Sequence, residues 1–316
     1  MQSAMKFSGP FQNTKLIRKE ESRVMNFEYF TPTTLEEAQS LLRQPGKKIR
    51  MIAGGTDLFL KLKDGLVETD GLMDITRIEP LHYIREEENQ GLRLGATTSI
   101  RAIEKSPLIR KKYPSIFQAA RQLGSVAIRN VGTIGGNLCN AAPSAEMAPA
   151  LIGLSARMII LTPRGKEIVS LEDFFVGPGQ TVLGPADLLL AIQVPPPSAQ
   201  TRGVYLKHSY RGSIDLAIVG VAATCNIQGE ICEDIKLVLG AVAPTPMRAR
   251  KGEEILRGKP LREPWIEKAS EAAAEEAKPI SDVRASAAYR REMVRVLTRR
   301  ALREAMAHLP EDPEQI

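Results

Sequence analysis

Two stretches decide how this chain is read: Met51-Ile52-Ala53-Gly54-Gly55-Thr56-Asp57-Leu58 and Gly132-Thr133-Ile134-Gly135-Gly136-Asn137. Each sets two adjacent glycines in or after an apolar, β-branched run, where the backbone can approach a ligand closely. Successive N–H groups in such a turn form an anion-binding concavity. Thr56 and Thr133 add hydroxyls, and Asn137 adds an amide. Either turn alone reads more simply as a tight connection. Two of them, each with a polar trailer, favour a diphosphate held between two units without an Arg or Lys clamp. Neither is a P-loop, because no Gly-Lys-Ser/Thr follows, and neither carries Gly-x-Gly-x-x-Gly.

Working outward from the first stretch, residues 26–30 alternate as a strand. Thr34 can cap a helix through Leu35, Ala38, Leu41 and Leu42, with Glu36 and Glu37 in its first turn. Ile49 to Ala53 is a short buried strand, Leu58 to Leu62 a helix and Gly71 to Ile75 another strand, a βαβ-like order. Outward from the second stretch, a strand over 91–96 ends in Thr97-Thr98-Ser99, and helical segments lie near 100–105, 114–123 and 145–154. Strands follow at 156–161, 167–169 and 188–194, then the stiff connector Pro195-Pro196-Pro197. The last third reads as antiparallel strands over 204–207, 217–227 and 231–242, the latter two joined at Gln228-Gly229-Glu230, and helices over 250–257, 264–277 and 284–308. The organisation expected is a flexible extension over 1–24, an α+β unit over 25–80, a second over 81–203 and a C-terminal α+β domain over 204–316.

Composition narrows the function classes. The chain has 316 residues, 43 Lys plus Arg against 37 Asp plus Glu, and 43% hydrophobic residues, which suits a globular protein rather than a disordered one. Three cysteines exclude a disulfide-stapled scaffold, and a fully Cys-ligated iron–sulfur cluster takes about four thiolates. No uninterrupted apolar run reaches the ~18 residues of a membrane span. The first 24 residues lack the apolar core of a signal peptide, so a cytoplasmic location is the default expectation. The densest basic stretch, Arg290 to Arg303, is interrupted by Glu292 and reads as a solvated helix face; docking of an acidic partner subunit is the sharper alternative, and nucleic-acid binding is not expected.

The two glycine stretches, with Gly95-Ala96-Thr97-Thr98-Ser99, Ile128-Arg129-Asn130-Val131, Ser209-Tyr210-Arg211-Gly212-Ser213 and Leu237 to Pro246, resemble the FAD-binding medium subunit of the molybdenum hydroxylases, the family of xanthine and carbon monoxide dehydrogenase flavoproteins. The resemblance implies an α+β fold of the PCMH (vanillyl-alcohol-oxidase) type: two subdomains gripping FAD and a C-terminal α+β domain. It implies that residues 51–58 wrap the diphosphate and that Gly132, Thr133, Gly135, Gly136 and Asn137 form the opposing loop. Thr98, Leu123, Ser125 and Leu190 would line or pack on the cofactor. Glu146 would bond the adenosine ribose, and Lys207 would stand near the isoalloxazine, where a cation stabilises the reduced, anionic ring. A solvated strand lysine is the plainer reading of Lys207.

Partners implied are a small subunit with [2Fe–2S] clusters and a large subunit with a molybdenum cofactor; NAD⁺ is one possible external acceptor. The first loop offers no His or Cys anchor, so FAD is expected to be noncovalent. No catalytic side chain and no metal site is expected in this chain. Cys139, Cys225 and Cys232 read as buried apolar residues and His208 as a surface residue; a Tyr210 ring near the flavin is the weaker alternative. A stand-alone FAD oxidoreductase and a nonenzymatic nucleotide-binding assembly subunit stay open as alternatives.

Overall fold

The computed structural model describes residues 27–307. The extension expected over 1–24 lies outside the described residues, as do Met25, Asn26 and His308. Three larger sheets organise the rest, and Phe175–Gly177 pairs with Gln180–Thr181 in a separate two-stranded ribbon. The first is parallel, with Gly71–Asp74 between Glu28–Phe30 and Ile49–Ile52. Its crossover helices are Leu35–Leu42 and Leu58–Lys63. The first of these starts where the sequence places a cap: Thr34 Oγ1 accepts from the Glu37 N–H at 3.1 Å, and the Glu37 carboxylate reaches back to the Thr33 N–H at 2.8 Å.

The second sheet is antiparallel, in the order Ile84–Glu87, Gly91–Gly95, Leu188–Val194, Arg157–Thr162, Gly165–Ser170. Strand Ile84–Glu87 and helix Pro107–Lys112 were not legible in the sequence. Six short helices lie between Ile100 and Gly153, and all but Val126–Val131 pack on this sheet around Leu94, Ile103, Ile116, Leu151 and Met158. The second glycine stretch, expected as a loop over 132–137, lies instead at two of them, Val126–Val131 and Ile134–Cys139. Local capping outweighs composition there. Ser125 Oγ accepts from the Ile128 N–H at 3.3 Å, and Thr133 Oγ1 from the Gly136 N–H at 3.1 Å.

The first two units share a core in which Met73, Ile78 and Leu81 meet Ile159, Leu188 and Leu190.

The third sheet runs Thr201–His208, Val219–Gln228, Ile231–Gly240, Met247–Arg248, with Lys259–Pro260 added to the third of these strands. Its side chains alternate between two cores. Val221, Leu237 and Leu239 pack under helices Arg250–Leu256, Trp265–Glu276 and Ala287–Ala307. Tyr205, Ala222 and Val238 join the core of the second unit.

The terminal helix corrects the solvated-face reading. Arg290 is buried and donates to Ile218 O at 2.6 Å and Asp282 at 2.8 Å. Arg295 and Arg299 share Glu267, and Arg303 holds Glu263. These arginines tie the helix to its own domain.

A candidate dinucleotide cleft

A cleft of about 670 Å³ opens where the first two units meet, within the usual range of small-molecule sites. One wall is the edge strand Ile49–Ile52 and the turn behind it, residues 53–58. The other includes Leu123, Ile128, Gly132, Thr133, Gly136 and Asn137.

The first turn is open to a ligand. The N–H groups of Gly54, Gly55, Thr56, Asp57 and Leu58 have no hydrogen-bond partner among the described residues. Asp57 makes no side-chain cap, so the Leu58 N–H at the start of helix Leu58–Lys63 stays free, while the Phe59 N–H donates to Gly55 O at 3.1 Å. Gly55 has φ +68°, a region unfavourable to other residues. Gly54 answers a different need from the one its sequence suggested: a Cβ there would lie 2.1 Å from the Val131 carbonyl oxygen. The close approach it permits is to the opposite wall.

The second stretch is built the other way. The Gly135 N–H donates to Ala96 O at 2.9 Å, the Gly136 N–H to Thr133 Oγ1 at 3.1 Å and the Asn137 N–H to Thr133 O at 2.9 Å. The Ile134 N–H donates to Thr98 O at 2.9 Å. This corrects the expectation of two equivalent amide turns: here the donors are spent on the scaffold. What this wall offers is the Thr133 N–H, which has no partner among the described residues, and side chains. Asn137 Oδ1 is buried without a partner, a polar atom whose desolvation is uncompensated until something reaches it.

The remaining expected residues fall outside the cleft lining. Thr98 is buried and donates to Tyr83 O at 2.9 Å, Ser125 caps its helix, Gly135 packs on Ala96, and Leu190 sits in the core between the units. Glu146 and Lys207 correct the reading most. Assigned by resemblance to opposite ends of a cofactor, they form one ion pair, Lys207 Nζ to Glu146 Oε1 at 2.8 Å, with side chains 1% and 7% exposed. Lys207 also donates to Gln122 O at 2.9 Å, one residue before Leu123 in the cleft wall. It is therefore not a solvated strand lysine. Burial raises the Glu146 carboxyl above its ordinary range, the Lys207 charge opposes that, and Asp57 adds a smaller upward push.

Other candidates resolve plainly. Cys139 borders the cleft, and burial pushes its thiol up to about 12, far from a reactive thiolate. His208 is partly buried, with Nε2 3.0 Å from Tyr289 Oη, so it is not a lone surface ring. Tyr210 is exposed and bonds the Arg284 carbonyl. Sequence reasoning missed Lys61, which reaches across the cleft to Asn140 Oδ1 at 2.5 Å. It also missed Arg129, buried, which holds the Leu123 and Gly124 carbonyls at 3.0 and 2.7 Å and Glu104 at 2.8 Å, fixing the turn beneath the second wall. No pattern distinguishes these from surface charges. Among the described residues, no group of three or more His, Cys, Asp or Glu could hold a metal, and no helix is long and apolar enough to cross a membrane.

A cleft between two α+β units, lined by free amides and an unsatisfied amide oxygen, suits a dinucleotide held by its phosphates. Comparison with known proteins gives the family. Residues 25–197 match the FAD binding domain in molybdopterin dehydrogenase, and residues 204–305 the CO dehydrogenase flavoprotein C-terminal domain. A putative xanthine dehydrogenase FAD-binding subunit of Escherichia coli is 30% identical over 280 residues, 88% of this chain and 96% of that protein. The glyceraldehyde dehydrogenase medium chain of Sulfolobus acidocaldarius is 34% identical over 278 residues, 88% of this chain and 98% of its own. The structure of carbon monoxide dehydrogenase from Hydrogenophaga pseudoflava superposes with a TM-score of 0.86 at 32% identity, covering 89% of this chain and 98% of that one. The chain belongs to the FAD-binding medium-subunit family of the molybdenum hydroxylases, and is an oxidoreductase subunit whose cofactor is FAD.

Proposed function

We propose that the chain carries FAD noncovalently as the electron-transfer subunit of a molybdenum hydroxylase. It takes electrons from [2Fe–2S] clusters of a small subunit, serves a large subunit that holds the molybdenum cofactor, and passes electrons to an external acceptor such as NAD⁺. The observation that carries this reading is the run of free amides from Gly54 to Leu58 facing Thr133 and Asn137 across the cleft. FAD supplies the exchange between one- and two-electron chemistry.

The protein's own residues bind and orient. The turn 53–58 offers N–H donors to the diphosphate, and its backbone dipoles replace the water that the phosphates give up. The Asn137 side chain, fixed on a capped helix, offers its free oxygen to a donor on the ligand. Leu123 and Ile128 provide apolar wall. The Glu146–Lys207 pair stands behind Leu123 as a single locus. Outside the lining and mutually paired, it acts through that wall, with Lys207 holding the Gln122 carbonyl next to Leu123, rather than at two ends of the cofactor. Cys139 is too basic to anchor a flavin through its thiolate.

The test is affinity purification of the native assembly with metal analysis and visible spectroscopy. Co-purification of Mo, Fe and a flavin spectrum is expected, with the isolated chain reducing dyes from NADH yet turning over no organic substrate. Substrate turnover by the isolated chain would favour a stand-alone oxidoreductase, and a colourless chain that binds no added FAD would leave only an assembly role.

A further inference from the structure

We propose that a second cavity, of about 260 Å³, binds a small oxyanion of the carboxylate or phosphate class through Lys236, Ser155 and Thr224. It lies at the seam between the second unit and the C-terminal domain. Its walls are the end of helix Met147–Gly153, the connector Pro195-Pro196-Pro197 and one face of the third sheet. It shares no lining residue with the dinucleotide cleft, and the proposal does not rest on the flavin reading.

Three donors converge there. Thr224 and Lys236 are register partners on adjacent antiparallel strands, so their side chains leave the same face side by side. The Lys236 ammonium donates to Ser155 Oγ, which leaves two of its N–H donors for a ligand. Thr224 is 8% exposed, and its Oγ1 has no partner. An orphaned buried hydroxyl on a cavity wall is uncommon, because its desolvation goes uncompensated. Gly153 keeps the space in front of that hydroxyl: a Cβ there would stand 2.7 Å from Thr224 Oγ1. Ser155 has φ +59°, a conformation non-glycine residues seldom adopt, and its N–H is held by Ile152 O at 2.9 Å.

The charges favour an anion. Burial pulls the Lys236 ammonium below its ordinary value, and the Arg248 charge pulls the same way; Glu172, Asp234 and Glu253 oppose this without reversing it. Those carboxylates are each held by an arginine, Glu172 and Glu253 by Arg248 and Asp234 by Arg257, and none pairs with Lys236 among the described residues. Asp234 also borders the cavity, but Arg257 Nη2 holds its Oδ1 at 3.2 Å. Asn226 Oδ1 is taken by Thr201 Oγ1 at 2.8 Å. The volume admits inorganic phosphate or a short carboxylate, and is smaller than the ~300 Å³ at which sites for drug-sized ligands begin. Such an anion would bridge Ser155 of the flavin-binding part and Thr224 and Lys236 of the C-terminal sheet, stabilising their docking by mass action.

The experiment uses the full FAD-loaded chain at constant ionic strength, titrated in separate arms with inorganic phosphate and with acetate, and read by calorimetry and thermal unfolding. A saturable heat and a matching rise in unfolding temperature are expected for at least one anion, and the arms identify which. K236M should bind at least ~10-fold more weakly, and T224V about threefold to tenfold more weakly, with flavin retention unchanged in both. T224V removes only an unpartnered hydroxyl, so it decides the matter if K236M fails to fold. No saturable response to either anion, or a response that T224V leaves intact, overturns the proposal.

Discussion

The two glycine-pair stretches look alike on paper and do opposite jobs. Gly54-Gly55 ends an edge strand, and the five N–H groups from Gly54 to Leu58 are free. Gly135-Gly136 lies inside a helix capped by Thr133, with its N–H groups spent on Ala96 and Thr133. The difference shows that a glycine pair licenses close approach without saying what approaches. At Gly135 and Gly54 the answer is another part of the same chain, Ala96 O and Val131 O. A cleft needs one wall that is rigid because its polar groups are satisfied, and another that is receptive because they are not.

The largest effect that would break this comparison is at Gly54. G54V places a side chain where even a Cβ lies 2.1 Å from the Val131 oxygen, forcing the walls apart. FAD affinity should fall by at least ~100-fold by fluorescence titration of the apoprotein. G136A meets only Thr133 Oγ1, at 3.0 Å, and should change affinity by less than about threefold. Equal losses would mean that the two stretches are equivalent after all.

Next comes the charge pair behind the second wall. K207M strands the Glu146 carboxylate in a buried site, at a cost of about 3–5 kcal/mol in denaturant unfolding. The double variant K207M/E146L should recover most of it, because two apolar groups leave no charge unpaired. If the double variant is no more stable than K207M, the pair contributes through something other than mutual neutralisation.

A smaller contrast separates the two threonines. T133A removes a helix cap and should lower stability by about 0.5–2 kcal/mol. T56A, whose hydroxyl makes only a 3.4 Å contact to Asp57, should stay within about 0.5 kcal/mol, its effect appearing instead as weaker FAD binding. Stability losses of the same size would erase the distinction between a scaffold wall and a receptive one.

A pH control outside the cleft lining carries no expected effect on FAD affinity. At Asp282, burial favours the neutral acid, but N–H donors from Arg284 and Ala285 and the Arg290 guanidinium outweigh it and hold the carboxyl at about 2. Its folded pKa is depressed, so its contribution is fully present above the unfolded carboxylate pKa of about 3.9, and is lost as pH falls from there toward about 2. The D282N variant should flatten the fall of the urea midpoint over that window and leave FAD affinity at neutral pH unchanged.

Most strands and the long helices were legible because their signals are local: period-two alternation over Val219–Gln228, helical spacing through Leu35–Leu42, and a cap at Thr34. The first wall was legible for the same reason, since a glycine pair after an apolar run marks a strand end. Less visible were short elements with mixed periods, such as Ile84–Glu87 and Val126–Val131, which depend on their neighbours for burial. Composition, charge, cysteine count and ordered motifs by themselves determined the broad class, the family resemblance and one face of the cleft. Only the tertiary structure decided which amides remain free, that Glu146 and Lys207 are one pair, and that the terminal arginines serve their own domain. Whether a donor is available depends on the acceptor that folding brings to it, and Ala96 O, Glu146 Oε1 and Glu267 come from distant parts of the chain.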